Sequence, residues 1–259
     1  MIRKVLSNMK NVIFRADDLG YSEGVNCGIA KAVREGVVSC VGVMANMDAA
    51  QHGIDLLVDA EAVLGMHAVM SAGAPVLPPH EVASLVDGNG LFKSSSFYRE
   101  NQGKDIAFEE LINEIDAQIE RFYAMTNRLP AYLDFHAVFA PCFVEAVEEV
   151  GSRRGIPTCT GLSGLCMVGN ASVTILPICH EETLEKQRRA VEEQLSKVTA
   201  GGTSLYILHP GYVDMPLLET SSVTLPRCFD VALACDGQFR EWLRKNDFEI
   251  TDFASVQQF

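Results

Sequence analysis

The sequence predicts an α/β fold: a single-domain, irregular (β/α) barrel of about seven parallel strands. Short apolar, strand-like runs alternate with helical periodicity along the chain, and such alternation makes a parallel sheet with right-handed crossovers the default. The 259 residues, 48% hydrophobic and 21% charged, suit one undivided α/β barrel, which runs to roughly 200–250 residues. No G-x-G-x-x-G follows the first strand, so an open dinucleotide-binding sheet loses its best support.

The elements follow in order. Residues 11–16 form a strand, and Ser22 caps a helix that runs to about Glu35 and stops at Gly36. Residues 37–43 read as a buried strand, 49–59 as a helix and 62–67 as a strand. Residues 70–105, rich in Gly, Pro and Ser, break this rhythm and read as a lid over the site, because so long a connection is usually functional. Phe108, Leu111, Ile112, Ile115, Ile119 and Phe122 then recur at three- and four-residue spacing, the apolar stripe of a helix packed on the core. A strand at 132–136, a helix at 143–154 opened by Pro141 and a short strand at 157–160 come next. Residues 161–180 read as irregular, 181–200 as a charged solvent-facing helix and 204–209 as a strand. Helices around 227–234 and 238–245, a strand at 248–251 and a short tail complete the chain. Nothing between them reads as a repeat or a linker, so one domain spans 1–259.

The formal net charge of −13 opposes binding to nucleic acid or to anionic membrane surfaces, both of which attract Lys/Arg clusters. No apolar stretch approaches the roughly 20 residues of a membrane span, and the opening residues lack the pattern of a secretory signal. A cytoplasmic protein is expected. Eight scattered cysteines without a C-x-x-C pair argue against a zinc knuckle and predict buried, reduced thiols. A homodimer is the commonest soluble assembly.

Four polar signatures sit where apolar runs end: Asp17-Asp18, His67, Asp134/His136 and His209. Strand ends of a parallel barrel converge on one mouth, so these residues predict one carboxylate-and-imidazole site. Taken singly each has a plainer reading: Asp17-Asp18 as turn and cap, His67 as a core histidine, Asp134/His136 as a surface pair, His209 as a turn residue. Together, two imidazoles and a carboxylate make a three-ligand set for a divalent ion with open positions. One of the adjacent aspartates could bind metal while the other takes a proton. Hydrolysis of an amide or ester follows from those parts.

Arg15-Ala16-Asp17-Asp18-Leu19-Gly20-Tyr21-Ser22, Leu64-Gly65-Met66-His67, Asp134-Phe135-His136 and His209-Pro210-Gly211-Tyr212-Val213-Asp214 resemble, in order and spacing, the motifs of the YdjC-like carbohydrate deacetylases. The resemblance implies a TIM-like barrel that removes acetyl groups from N-acetylated sugars with a divalent ion, typically magnesium; bottom-up, two imidazoles suit zinc, nickel or cobalt better. It implies Asp18, His67 and His136 as metal ligands, Asp17 as catalytic base and His209 as acid. Arg15, Asp134, Tyr21, Phe139 and Tyr212 are expected around the substrate or behind the ligands. Two departures imply altered substrate contacts: Arg15 stands where many members carry Asn, and Ala137-Val138-Phe139 follows His136 in place of a His-x-His continuation. Two alternatives stand beside deacetylation, a metal-dependent lyase or isomerase on sugars or keto acids and a non-catalytic carbohydrate-binding relative.

Overall fold

The structure, a computed structural model, describes residues 9–256; the opening residues read for a targeting signal and the last of the tail lie outside them. Within them eight strands form one sheet: β1 (Lys10–Leu19), β2 (Cys40–Val43), β3 (Val63–Ala68), β4 (Leu133–Phe135), β5 (Gly164–Val168), β6 (Ala171–Ile175), β7 (Thr203–Leu208) and β8 (Phe248–Thr251). Their spatial order is β4-β3-β2-β1-β7-β6-β5, with β8 also on β1. Every pairing is parallel except β5 with β6. The central strand β1 has β7 along one edge over Asn11–Ala16, while β8 (from Lys10) and β2 (to Leu19) share the other.

Side-chain alternation along β1 divides the core. Val12, Phe14 and Ala16 face the helix layer. Ile13 faces inward, where it meets Cys40, Tyr132, Val173, Leu205 and Phe253 in an interior cluster. The sheet thus curls into a half-barrel; among the described residues, β4 and β5 are its unjoined ends.

Among the described residues ten helices surround it: α1 (Glu23–Arg34), α2 (Ala50–Asp55), α3 (Ser95–Asn101), α4 (Phe108–Thr126), α5 (Pro141–Arg154), α6 (Leu184–Ser196), α7 (Met215–Thr220), α8 (Leu225–Ala234), α9 (Gly237–Lys245) and α10 (Phe253–Val256). Ser22 caps α1 as expected, its hydroxyl accepting from the Val25 N–H. The expected stripe on α4 is buried at Leu111, Ile112, Ile115, Ile119 and Phe122. On the same helix Glu114 accepts from the Val76 and Leu77 N–H groups, and Gln118 bonds both main-chain groups of Val69. These bonds pin the start of the 70–105 segment, which also contains α3.

Two stretches differ from the expectation. The strand expected at 157–160 is a single bridge, Thr158 to Leu133, since only a short segment reaches the edge of β4. The segment 161–180, read as irregular, holds the β5–β6 hairpin, turned at Gly169-Asn170, where Gly169 has φ 59°. Helices α7 and α10 are additions.

Candidate active site

Because the strands around β1 are parallel, their C-terminal ends share one mouth, and a cavity of about 780 Å³ opens there. By alternation Asp17 follows Ile13 and Arg15 into the barrel, whereas Asp18 should face the helices. It does not, because the register slips between Ala16 and Leu19 and Asp18 takes φ 75°, which turns the chain so that both carboxylates line the cavity. That left-handed conformation costs a non-glycine residue on the order of 1–3 kcal/mol. It is sustained by the bonds Asp18 makes.

Asp18 Oδ1 lies 3.0 Å from His136 Nδ1 and 3.4 Å from His67 Nε2, and Oδ2 accepts from Arg227 Nη2 at 2.7 Å. His67 Nδ1 lies 3.0 Å from Asp134 Oδ1, so the ring is held with Nε2 toward Asp18. Arg15 grips both oxygens of Asp17 at 2.7 Å and reaches Asp134 Oδ2 at 2.7 Å. Below this layer Tyr132 packs flat on Gly65: a Cβ there would meet its ring at 2.3 Å. The ring rests on Phe253, centroids 4.5 Å apart.

Asp18, His67 and His136 offer one ligand atom each, all within 4.8 Å of one another, and Asp17, His67 and Asp134 do the same. The first set fits a divalent ion better. Arg15 already bonds both carboxylates of the second, whereas Arg227 takes only Oδ2 of Asp18 and leaves Oδ1 turned to the two imidazoles. A carboxylate behind a metal-binding histidine, as Asp134 stands behind His67, is the usual way its ring is fixed.

Burial sets the protonation states, and charge partners then modify or reverse its effect. Burial raises Asp17 above the usual carboxylate range despite Arg15 and His67. For Asp18 the same burial is outweighed by Arg227 and His136, which hold it well below that range; for Asp134, Arg15 and His67 outweigh it. His67 stays well above its ordinary value because Asp134 and Asp17 overcome its desolvation. For His209 burial outweighs the pull of Asp18 and drives it down to about 3, and its Nδ1 is buried without a hydrogen bond. Its main-chain N–H is fixed by Asp230 Oδ2 at 2.8 Å, a carboxyl that burial pushes up to about 7.

Nine of the ten residues expected at the site line the cavity: Arg15, Asp17, Asp18, Tyr21, His67, Asp134, His136, Phe139 and His209. Tyr212 does not. Gly211 packs against α1, where a Cβ on Gly28 would come within 2.5 Å of it, and the Tyr212 N–H bonds to Gly24 O, which carries the chain away from the mouth. Sequence reasoning missed Arg227 and Asp230, which α8 brings beneath Asp18 and His209, and His180, whose ring is 6.0 Å from that of His209. For the first two a signal existed in the three-residue spacing on one helical face.

A solved structure from Enterococcus faecalis, described as a proposed cellobiose-phosphate cleavage protein, shares this fold (TM-score 0.79, 20% identity, 96% of this chain and 99% of that one). An acetyl xylan esterase of family 4 from Clostridium thermocellum, solved with a cobalt ion, is a more distant likeness (TM-score 0.54, 12% identity, covering 96% and 90%). Among sequences, a carbohydrate deacetylase of Geobacillus stearothermophilus is 31% identical over 229 residues, 86% of this chain and 89% of its own. One from Vibrio parahaemolyticus is 27% identical over 261 residues, covering 95% and 96%. The family described as YdjC-like protein matches residues 11–245, a span that holds every residue of the cavity, and the chain belongs to it.

Proposed function

We propose that this protein is a metal-dependent hydrolase that removes acetyl groups from N-acetylated carbohydrates. The observation that carries this is the convergence of Asp18, His67 and His136 in the cavity that also holds Asp17 and His209. Relatives named carbohydrate deacetylase support the reaction. Asp18, His67 and His136 would hold the ion, magnesium by family resemblance or zinc, nickel or cobalt by donor chemistry. When bound, a divalent ion supplies a Lewis acid for the acetyl carbonyl and lowers the pKa of water toward about 7.

The chain's own groups do the rest. Asp17, oriented by Arg15, takes the proton of the attacking water; its raised pKa suits a base working near neutrality. His209, neutral at rest and held by its main-chain N–H on Asp230, receives the proton that Asp17 took from water and hands it to the departing sugar amine, which leaves Asp17 ionised for the next cycle. Phe139, 57% exposed at the mouth, offers a face for a sugar ring, and Tyr21 lies beneath Arg227, 5.5 Å from its guanidinium. Tyr212 would touch only the far part of a longer saccharide. Residues 70–105, which bring Ser71, Phe92 and Arg99 to the cavity wall, act as a lid on this single unit. A cytoplasmic setting and a homodimer complete the reading, on sequence grounds alone. No described helix is long and apolar enough to cross a membrane.

The test is acetate release from a panel of N-acetylated mono- and oligosaccharides by metal-loaded protein, with Asp17→Asn alongside. Release by the wild type and loss in the variant are expected. No acetate from any member, or equal release by both proteins, overturns the reading.

A further inference from the structure

Two thiols sit where the hydrogen bonding of the barrel stops. Past β4 the chain returns along its edge, with the Leu133 N–H bonded to Pro157 O and the Cys159 N–H to Leu133 O, both at 2.8 Å. Across the seam, Cys166 lies on β5 opposite Val173, and its side chain packs into the interior cluster that contains Cys159. The two thiols thus share one cluster, near enough for each to shift the acidity of the other, and the Cys166 thiol donates to the Met167 carbonyl at 3.6 Å. Gly161 keeps the intervening main chain close: a Cβ there would be 3.6 Å from Cys166 Sγ.

The members of this pair differ in access and in acidity. Cys159 is 3% exposed on the cavity wall, whereas Cys166 is partly open to solvent. The neighbouring Cys159 pulls Cys166 down to about 6, and Cys166 together with burial holds Cys159 well above its ordinary value. An accessible low-pKa thiol beside a resolving thiol is the arrangement of a redox sensor. Of the other partly exposed cysteines, Cys142, Cys179 and Cys235 are raised by burial.

We propose that Cys159 and Cys166 form a reversible redox couple, whose disulfide, made in response to a hydroperoxide, closes the barrel seam beside the cavity. The Cys166 thiolate attacks the peroxide oxygen and becomes a sulfenic acid, and the released alkoxide or hydroxide is protonated. Cys159 sulfur then displaces the hydroxyl group from Cys166, which leaves with the Cys159 proton as water. Two thiols are oxidised and one peroxide bond is reduced. A thiol reductant reverses the link. Residues Gly161 and Leu162, which line the cavity, are thereby held in a closed loop, an outcome independent of the reaction the cavity performs.

The experiment is a hydrogen peroxide titration of the full chain, followed by digestion under non-reducing conditions with chymotrypsin, which cuts between the two cysteines at Leu162 or Leu165. Expected are fragments joined through Cys159 and Cys166, short of two hydrogens, on the order of tenfold more abundant than any other cysteine pairing and separated by dithiothreitol. In Cys159→Ser, Cys166 should stop at a sulfenic acid that dimedone traps; circular dichroism confirms that this variant is folded. Cys166 that accumulates in the wild type as a dimedone-trapped sulfenic acid to the same extent as in Cys159→Ser, or that links to Cys179, overturns the proposal.

Discussion

Replacing Arg227 by Met should destabilise the metal-free protein and make its stability unusually sensitive to added metal. The guanidinium is 3% exposed and bonds Asp18 Oδ2 at 2.7 Å, with the carboxylate side chain 2% exposed. Removing one partner of a buried pair costs about 3–5 kcal/mol, because the other charge is stranded. Asp18 keeps His136 and His67 nearby and can take up a proton, so the lower figure, about 3 kcal/mol, applies. For a chain of this length that is a fall in Tm of about 6–12 °C. A divalent ion bound by Asp18, His67 and His136 would restore the missing positive charge, so saturating zinc should raise the Tm of the variant by more than that of the wild type. Calorimetry on both proteins, with Asp18→Asn and the double variant completing the cycle, reads the effect; the double variant should recover about 0.5–3 kcal/mol of the additive loss. A variant melting within about 2 °C of wild type, or losing stability without a larger response to metal, would refute the assigned role of Arg227 as charge partner of a metal-binding carboxylate.

Asp17→Asn should bind metal normally while kcat falls about 10²–10⁴-fold, measured as acetate release. In the wild type kcat/KM should rise with pH through an apparent pKa above the usual carboxylate range of about 4, since burial raises Asp17 and only the ionised form accepts a proton; a flat profile from about pH 4 to 7 would contradict this. Asp230 is raised from 3.8 to about 7 on folding, so its contribution to stability is full below pH 4 and is lost as pH climbs toward 7. Denaturation of Asp230→Asn should therefore show it gaining on wild type across that window, by up to about 4 kcal/mol. Gly65→Ala drives a methyl into the ring of Tyr132, fully buried against Phe253. It should cost about 1–3 kcal/mol and, by shifting β3, weaken metal binding at His67.

Much of the site was legible because geometry links periodicity to position. Parallel strands place their C-terminal ends together, so Asp17, His67, Asp134, His136 and His209 could be assigned to one mouth from the apolar runs that precede them. The turn of Asp18 back into the cavity was only half legible: the sequence suggested a strand end, whereas β1 continues to Leu19 and a positive φ does the work. The spacing of Arg227 and Asp230 marks one helical face, but the partner of Arg227 lies 209 residues away, and a local spacing does not say what that face meets. His180 lay in a segment read as irregular, although Gly169-Asn170 between two short runs is a hairpin signal. Tyr212 was misled by its neighbour, since Pro210-Gly211 separates it from the fate of His209.

Whether hydrolysis depends on a metal held by these residues is read from acetate release by chelator-stripped protein as a divalent ion is titrated back, in the wild type and in His136→Ala. Activity that returns in the wild type and saturates near one ion per chain, with little return in the variant, is the predicted result. Acetate release that persists after stripping, or that responds to metal equally in both proteins, would contradict a metal-dependent deacetylase built on Asp18, His67 and His136.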